Sequence, residues 1–216
     1  MSASVSRWMG SLLASALLAC TLASAQAAQP DPGQAQQLVK GVTDQMLDVL
    51  RQEGTEGKAD LNRIRDKVND IVLPHMDFIT MTKLAVGSPW RNASDDQKRT
   101  LVTQFRELLV RTYTRSLDEY DNQKLEFLPM RPSPYPDRVT VRSRVLQSNG
   151  PEIPVEYSLR FHDGEWKVYD IVVDGVSLVT TYRSSFASQV QQNGIDGLID
   201  SLRKKNAANE SGTGNS

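Results

Sequence analysis

The sequence is organised around residues 164–183, which read GEWKVYDIVVDGVSLVTTYR. The first half of this segment is rich in the β-branched and aromatic residues typical of a strand, and Asp174-Gly175 provides a turn at which the strand can end. Strict alternation would place four side chains on one face of that strand: Trp166, Val168, Asp170 and Val172. Because the residues between them are also mostly apolar, we expect both faces to be covered.

The residues after this turn predict a helix. Apolar side chains recur there at helical spacing: Leu178, Val179, Tyr182, Phe186 and Val190. The helix could therefore fold back over the sheet directly after the strand. We expect Gly175 to take a positive φ at the turn, a conformation that side chains rarely adopt.

Three short strings within this segment resemble one protein family. They are Trp-Lys-Val-Tyr-Asp at 166–170, Gly-Val-Ser-Leu-Val at 175–179 and Tyr-Arg-x-x-Phe at 182–186. Together they resemble the MlaC, or toluene-tolerance, family of periplasmic phospholipid-transport proteins. The segment 84–91, which ends in Trp90-Arg91, is similar to a second pattern of that family, with Val86 in the place of a leucine. The resemblance covers most of residues 34–204.

The resemblance implies a fold and a task. The implied fold is an NTF2-like curved sheet with a helical companion, which together enclose phospholipid acyl chains in a cone-shaped cavity. The implied task is to shuttle lipid between the outer and inner membranes and so to maintain outer-membrane lipid asymmetry. The implied partners are an outer-membrane lipoprotein–porin complex and an inner-membrane lipid-transporting ABC complex, with phospholipid as cargo and no cofactor.

Length and composition fit this kind of protein. A chain of 216 residues can form one domain with a sizeable core. Its 39% of hydrophobic and 24% of charged residues are ordinary for a soluble protein. The net charge of -1 provides no basic field for binding nucleic acid, so we do not expect a nucleic-acid partner.

Residues 1–27 have the features of a signal peptide. Arg7 is the only charge before Asp31, residues 8–22 are mostly apolar, and small residues follow at 23–27. Cleavage there would remove Cys20, the only cysteine, and would deliver a cysteine-free protein to the periplasm. Leu-Leu-Ala-Cys at 17–20 also resembles a lipoprotein cleavage box, so lipidation of Cys20 is the alternative.

The first half of the chain predicts helices. Apolar stripes over residues 34–52 and 60–73 predict two packed helices, and Pro74 stops or bends the second. A capping box at 94–97 begins a long helix that should reach about Tyr120. The apolar stripe of this helix suits either a packed core or a pocket wall. His75 and His162 are the only histidines, and neither has a second ligand at metal spacing, so we expect no metal site.

The second half predicts about four strands, at 125–128, 138–146, 155–161 and 165–173, joined by Pro, Asn-Gly or Asp-Gly turns. Within 138–146, arginines should face water while the valines and Ser143 face inward. Helices followed by an antiparallel meander indicate the α+β class. We expect one lipid-binding domain at 28–205, with a last short helix near 195–202, and a disordered tail at 206–216.

We expect the cavity wall to combine the long helix with the strands. The inward-facing candidates are Phe105, Leu109, Tyr113, Val141, Val145, Tyr157, Leu159 and Val172. A register slip of one residue would exchange the faces of a strand. Arg183 has two possible roles: an ion pair with Asp170 or Asp174, or support of a lipid phosphate at the cavity rim.

Two other functions compete with lipid carriage. An NTF2-like enzyme could use Asp170, an acid within an apolar strand, as a general base. No Ser-His-Asp pattern, phosphate-binding glycine loop or metal cluster in the sequence supports that enzyme. The third possibility is a periplasmic adaptor that binds only protein, and the absence of bound lipid would distinguish it from a carrier.

Overall fold

The computed structural model describes residues 30–55, 60–115, 117, 123–147 and 150–211. The signal peptide expected at 1–27 lies outside these ranges, and so does Cys20. Within them, no helix is both long enough and apolar enough to cross a membrane.

The described chain contains five α-helices: α1 (Pro32–Thr55), α2 (Leu61–Lys67), α3 (Phe78–Val86), α4 (Asp95–Thr114) and α5 (Leu178–Ser211). Three irregular turns connect them: a π-helical turn (Val68–Val72) and two 3₁₀ turns (Leu73–His75 and Ser88–Asn92). The capping box predicted for α4 is present, because Ser94 Oγ accepts the Gln97 N–H at 3.2 Å and Gln97 Oε1 accepts the Ser94 N–H at 2.9 Å. The α-helix itself ends at Thr114, and most of the extension expected as far as Tyr120 lies outside the described residues.

Five strands form one antiparallel sheet in the order β1-β2-β3-β4-β5. Their bounds are β1 (Lys124–Phe127), β2 (Arg138–Leu146), β3 (Ile153–His162), β4 (Glu165–Val173) and β5 (Val176–Ser177). The four long strands are those predicted from the sequence, and the fifth has only two residues. The α+β class is therefore confirmed, with a sheet that stays open.

Two Asp-Gly turns connect β3 to β4 and β4 to β5. Asp163 and Gly164 have φ of 52° and 82°, and Asp174 and Gly175 have φ of 50° and 78°. Positive φ at both central residues is the requirement of a type I′ turn, a common two-residue hairpin turn. The positive φ expected for Gly175 is confirmed.

A β-bulge interrupts the alternation of β4. Val168 pairs with Leu159 of β3, but Asp170 pairs with Ser158, so Tyr169 is an extra residue without a partner. Beyond the bulge the faces are exchanged: Ile171 joins Trp166 and Val168 on the inner face. Strict alternation was therefore the wrong prediction for Asp170 and Val172, which lie on the opposite face.

The helix α1 covers the inner face of the sheet. Ala35 and Val39 of α1 are buried against apolar strand residues: Val139, Val141, Leu159, Trp166 and Val168. Two polar contacts anchor this packing, since Trp166 Nε1 donates to the Asp31 carbonyl at 3.0 Å and Gln36 Nε2 donates to the Leu128 carbonyl at 2.9 Å. In β2 the predicted alternation is confirmed, because Val139, Val141 and Ser143 are buried while Arg138 is exposed.

The helix α5 packs against α3 and α4 and extends further than predicted. It kinks at Gly194, where φ is 68°, and then continues to Ser211. Asn206 is buried, and its Nδ2 donates to both the backbone oxygen and the side-chain oxygen of Gln104, each at 3.0 Å. The helix therefore includes residues 206–211, which belong to the polar segment predicted as a disordered tail. The hydrogen bonds of Asn206 hold this part of α5 against α4.

Candidate functional site

A cavity of about 250 Å³ lies where the helices meet the end of β4. One wall consists of four residues of α4, Leu109, Val110, Tyr113 and Thr114, together with Leu117, which lies three residues after the end of that helix. The opposite wall comes from the other helices, the turns after α2 and the sheet: Met46, Val68, Val72, Leu73, Met76, Phe78, Met81, Ile171 and Leu178. None of these side chains is charged. The cavity can therefore bind an apolar chain by removing it from water.

The cavity lies at the junction of three hydrophobic clusters. One cluster joins α3, α4 and α5 and includes Met81 and Leu109. A second lies between α1 and the sheet and includes Ile171 at its margin. The third joins α1, α2 and α4 and includes Met46 and Val68. The cavity is therefore bordered by residues of all three clusters.

The π-helical turn Val68–Val72 forms part of the wall. Val68 and Val72 line the cavity, and Leu73 follows them in the next turn. A π turn carries one more residue than an α turn, and such turns occur frequently at functional sites. Pro74 cannot donate the next helical hydrogen bond, which accounts for the change to a 3₁₀ turn. The sequence indicated the stop at Pro74 but not the widened turn before it.

The start of α3 is fixed to the sheet by polar contacts beside the cavity. The Asp77 N–H donates to the Val168 carbonyl at 2.8 Å, so the preceding Met76 forms a bridge with β4. The Asp77 side chain caps α3 by accepting the Thr80 N–H at 2.9 Å, and Arg160 Nη1 donates to Thr80 Oγ1 at 2.8 Å. These contacts hold Met76 and Phe78 in the wall.

Aromatic side chains support the wall from behind. Tyr113 lines the cavity and lies close to Tyr182 of α5. Burial, together with the neighbouring Tyr182 hydroxyl, raises the pKa of Tyr113 above its ordinary value. The Tyr182 ring packs on Phe105 at a centroid distance of 5.1 Å and on Phe186 at 5.6 Å. Tyr182 therefore lies behind Tyr113 and does not line the cavity itself.

The residues predicted for the wall occupy several different places. Leu109 and Tyr113 line the cavity, and Phe105 is fully buried in the cluster behind them. The strand residues Val141 and Leu159 are fully buried beneath α1. Val145 lies between Leu125 and Ile153 of the neighbouring strands.

Two predicted strand residues illustrate the effect of register. Burial raises the pKa of Tyr157, and the neighbouring Ser143 and Thr43 side chains offset part of this shift. Val172 pairs with Glu156 on the outer face, whereas its neighbour Ile171 lines the cavity. The periodicity of β4 alone does not indicate Ile171 as a wall residue, because the bulge at Tyr169 depends on pairing with β3.

The Asp170 carboxylate accepts hydrogen bonds at the beginning of α5. Its Oδ2 accepts the Ser177 hydroxyl at 2.6 Å and its Oδ1 accepts the Val179 N–H at 3.2 Å. Ser177 Oγ in turn accepts the Thr180 N–H at 3.0 Å, which satisfies a second donor of the first helical turn. Asp170 does not line the cavity. Its contacts are those of a residue that joins a strand to a helix.

Arg183 is not paired with Asp170 or Asp174, as no ion pair links these described residues. Its guanidinium lies over Gly87, where an added Cβ would be 3.8 Å from Arg183 Nε. That distance is an ordinary van der Waals contact, so it is the φ of 72° at Gly87 that favours glycine at this position. Arg183 itself is exposed and is not among the residues that line the cavity.

The histidines provide no metal centre. Across the described ranges, no group of three or more His, Cys, Asp or Glu side chains could hold an ion. His75 lies in a surface cleft with Glu165 and Lys167. Partial burial and, to a smaller extent, the charge of Lys167 lower the pKa of His75.

The chain is similar to proteins of one family along most of its length. The family profile described as "MlaC protein" matches residues 40–204. The toluene tolerance protein ttg2D of Pseudomonas putida is 30% identical over 182 residues, which cover 81% of this chain and 84% of that protein. The intermembrane phospholipid transport system binding protein MlaC of Haemophilus influenzae is 25% identical over 171 residues, 77% of this chain and 79% of that protein.

A solved structure has the same fold. It is the phospholipid-binding protein from Ralstonia solanacearum in complex with a phospholipid, and it superimposes with a TM-score of 0.74 at 30% sequence identity. The match covers 82% of this chain and 98% of the Ralstonia chain.

Proposed function

The chain belongs to the MlaC family, and we propose that it is a periplasmic carrier that binds phospholipid and moves it between the outer and inner membranes. The observation that carries this proposal is an uncharged apolar cavity within the fold that, in the Ralstonia protein, accompanies a bound phospholipid. The names of the relatives describe lipid binding, transport and solvent tolerance, and none describes a catalysed reaction. The protein is a binding protein and not an enzyme.

The physical basis of carriage is the burial of acyl chains. Each methylene group removed from water contributes about 0.8 kcal/mol, so a lipid tail in the cavity is strongly favoured over the same tail in the aqueous periplasm. The cavity needs no catalytic group for this task. Methionine side chains at 46, 76 and 81 are flexible and can adapt to tails of different length.

The cavity enlarges when lipid enters. Its volume of about 250 Å³ is below the roughly 300–1,000 Å³ typical of pockets for drug-sized ligands. A phospholipid with two acyl chains is larger than most drugs. Binding of such a lipid therefore requires side chains of the wall to move apart, and the flexible methionines among them can do so by changing rotamer.

The proposal extends to processing and to partners. Residues 1–27 direct export and are removed, residues 28–205 carry the lipid as one domain, and Cys20 is lost with the signal peptide. An outer-membrane lipoprotein–porin complex and an inner-membrane ABC complex exchange lipid with the carrier, which maintains the lipid asymmetry of the outer membrane. The name of the Haemophilus relative, a binding protein of an intermembrane transport system, supports this role.

Lipid extraction tests the proposal. The full chain is expressed in a Gram-negative host, purified from the periplasm and extracted with organic solvent, and the extract is analysed by mass spectrometry. We expect close to stoichiometric phospholipid. A folded protein that contains no phospholipid, and that does not take up phospholipid from vesicles, would support the protein-binding adaptor instead. The intact mass of the same sample distinguishes cleavage near residues 26–29 from lipidation at Cys20.

A further inference from the structure

A polar groove lies directly beside the apolar cavity. It has a volume of about 320 Å³ and lies between α4 and the segment that starts in α2. Its polar lining consists of Arg65, Asn69, Thr103, Arg106, Glu107 and Arg111. Leu73 and Val110 complete the groove and also line the apolar cavity. These two side chains are therefore the boundary between a charged compartment and an uncharged one.

The groove carries an excess of positive charge. Glu107 accepts two hydrogen bonds from Arg111, at 2.8 Å from Nη2 and 3.2 Å from Nε, so the charge of Glu107 is matched within α4. Arg65 donates to the Asn62 side-chain oxygen, a neutral group. Neither Arg65 nor Arg106 forms an ion pair with any carboxylate in the described part of the chain. Two guanidinium groups thus face the groove without a matching negative charge.

We propose that this groove binds the phosphate of a phospholipid whose acyl chains occupy the apolar cavity. The inference rests on the proposed function and adds to it a defined place for the head group. Guanidinium groups suit phosphate because their planar array of donors matches its oxygens, and hydrogen bonds between charged partners are stronger than those between neutral ones. The glycerol portion of the lipid lies at Leu73 and Val110, where the polar and apolar compartments meet.

Other surface sites meet this requirement less well. A second arginine-rich cleft, on the outer face of the sheet, includes Arg131, Arg138 and Arg142 but shares no lining residue with the apolar cavity. The cleft around His75 and Lys167 likewise shares none. Arg183 contacts Gly87, outside the lining of either compartment. A single lipid has to contact both compartments at once, and Leu73 and Val110 allow this.

The test compares two lipids with the same tails. The delipidated full chain is titrated with dioleoylphosphatidylglycerol and with dioleoylglycerol, which lacks the phosphate, and each lipid displaces a fluorescent fatty acid. We expect the wild-type protein to bind the phospholipid about tenfold more tightly, the order expected from a charge-assisted hydrogen bond. The Arg65→Gln/Arg106→Gln variant should lose this preference while its affinity for dioleoylglycerol stays the same.

Two controls accompany the double variant. Arg99→Gln removes an exposed arginine of the same helix that pairs with Asp96, and it should keep the preference. The variant Arg106→Lys keeps the charge but not the fork of donors, and it should retain part of the preference. Circular dichroism confirms that each variant is folded.

Each remaining outcome counts against a particular statement. A preference for phospholipid that persists in the double variant would overturn the assignment of the groove. Inorganic phosphate that binds the lipid-free protein as tightly as the phospholipid does would make the groove a site for free anions, which also overturns it. Failure of the wild-type protein to bind either lipid would instead refute the proposed carrier function.

Discussion

Asp170 shows how the same residue can suggest two functions. An acid within an apolar strand could serve as a buried general base, but the sequence also suggested that Asp170 forms an ion pair with Arg183. In the structure, the carboxylate accepts hydrogen bonds from Ser177 and from the Val179 N–H. Both donors belong to the junction between β5 and α5. The residue therefore connects the strand to the helix, and it does not line the apolar cavity.

We predict that Asp170→Ala destabilises the protein without reducing the amount of bound phospholipid. Loss of the two hydrogen bonds leaves a helix N-terminus partly unsatisfied, which should reduce the free energy of unfolding by about 1–2 kcal/mol. Urea denaturation measures this change, with Asp200→Ala as a control because Asp200 is exposed and pairs with Arg203 of its own helix. Co-purified phospholipid per mole of folded protein should be unchanged. Normal stability combined with loss of lipid would contradict the structural role of Asp170.

At the scale of the elements, the bulge in β4 determines which side chains reach the cavity. Without it, Val172 would share a face with Val168, and the cavity would be lined by a different residue. The extra residue, Tyr169, exchanges the faces and directs Ile171 inward and Val172 outward. Bulges commonly re-aim side chains near functional sites in this way.

Two neighbouring substitutions test the bulge. Ile171→Phe adds volume inside the cavity and should lower the amount of co-purified phospholipid by at least half, while Val172→Phe should leave it near the wild-type level. Solvent extraction and mass spectrometry measure the lipid, and thermal denaturation verifies that both variants fold. The reverse result, with lipid lost in Val172→Phe and kept in Ile171→Phe, would mean that β4 alternates without a bulge in solution.

At the scale of the whole molecule, the three hydrophobic clusters form the core, and the apolar cavity lies where they meet. The cluster beneath α1 is densely packed, and Leu159 and Val141 in it are fully buried. The cavity lies at the margin of all three clusters, where α1, α4, α5 and β4 approach one another. A ligand placed there would join elements that are far apart in the sequence. Bound lipid should therefore stabilise the entire domain.

We predict that removal of lipid lowers the melting temperature and that its return restores it. A ligand that binds only the folded state adds about 2.7 kcal/mol when its free concentration is one hundred times the dissociation constant. Differential scanning calorimetry of loaded, delipidated and reloaded protein measures the effect. Ile171→Phe serves as the control, because its melting temperature should respond only weakly to added lipid. Equal melting temperatures for loaded and delipidated wild-type protein would contradict the prediction.

Local patterns in the sequence were sufficient to predict much of this architecture. The strands β2 and β4 have the predicted bounds, the capping box at Ser94 and Gln97 begins α4, and Gly175 has the expected positive φ. These features depend on residues within a few positions of one another, so short-range sterics and hydrogen bonding specify them. The family strings in residues 166–186 are local in the same sense, and the family they indicated is confirmed.

The binding site could not be predicted in the same way, because it depends on contacts between segments that are distant in the sequence. The bulge at Tyr169 arises from pairing with β3, the partners of Asp170 come from the start of α5, and the boundary between cavity and groove joins Leu73 to Val110 of another helix. Periodicity shows that a face is apolar but not which other face covers it. Whether that apolar surface becomes core or cavity wall depends on how closely the elements approach, and that distance exists only in the folded protein.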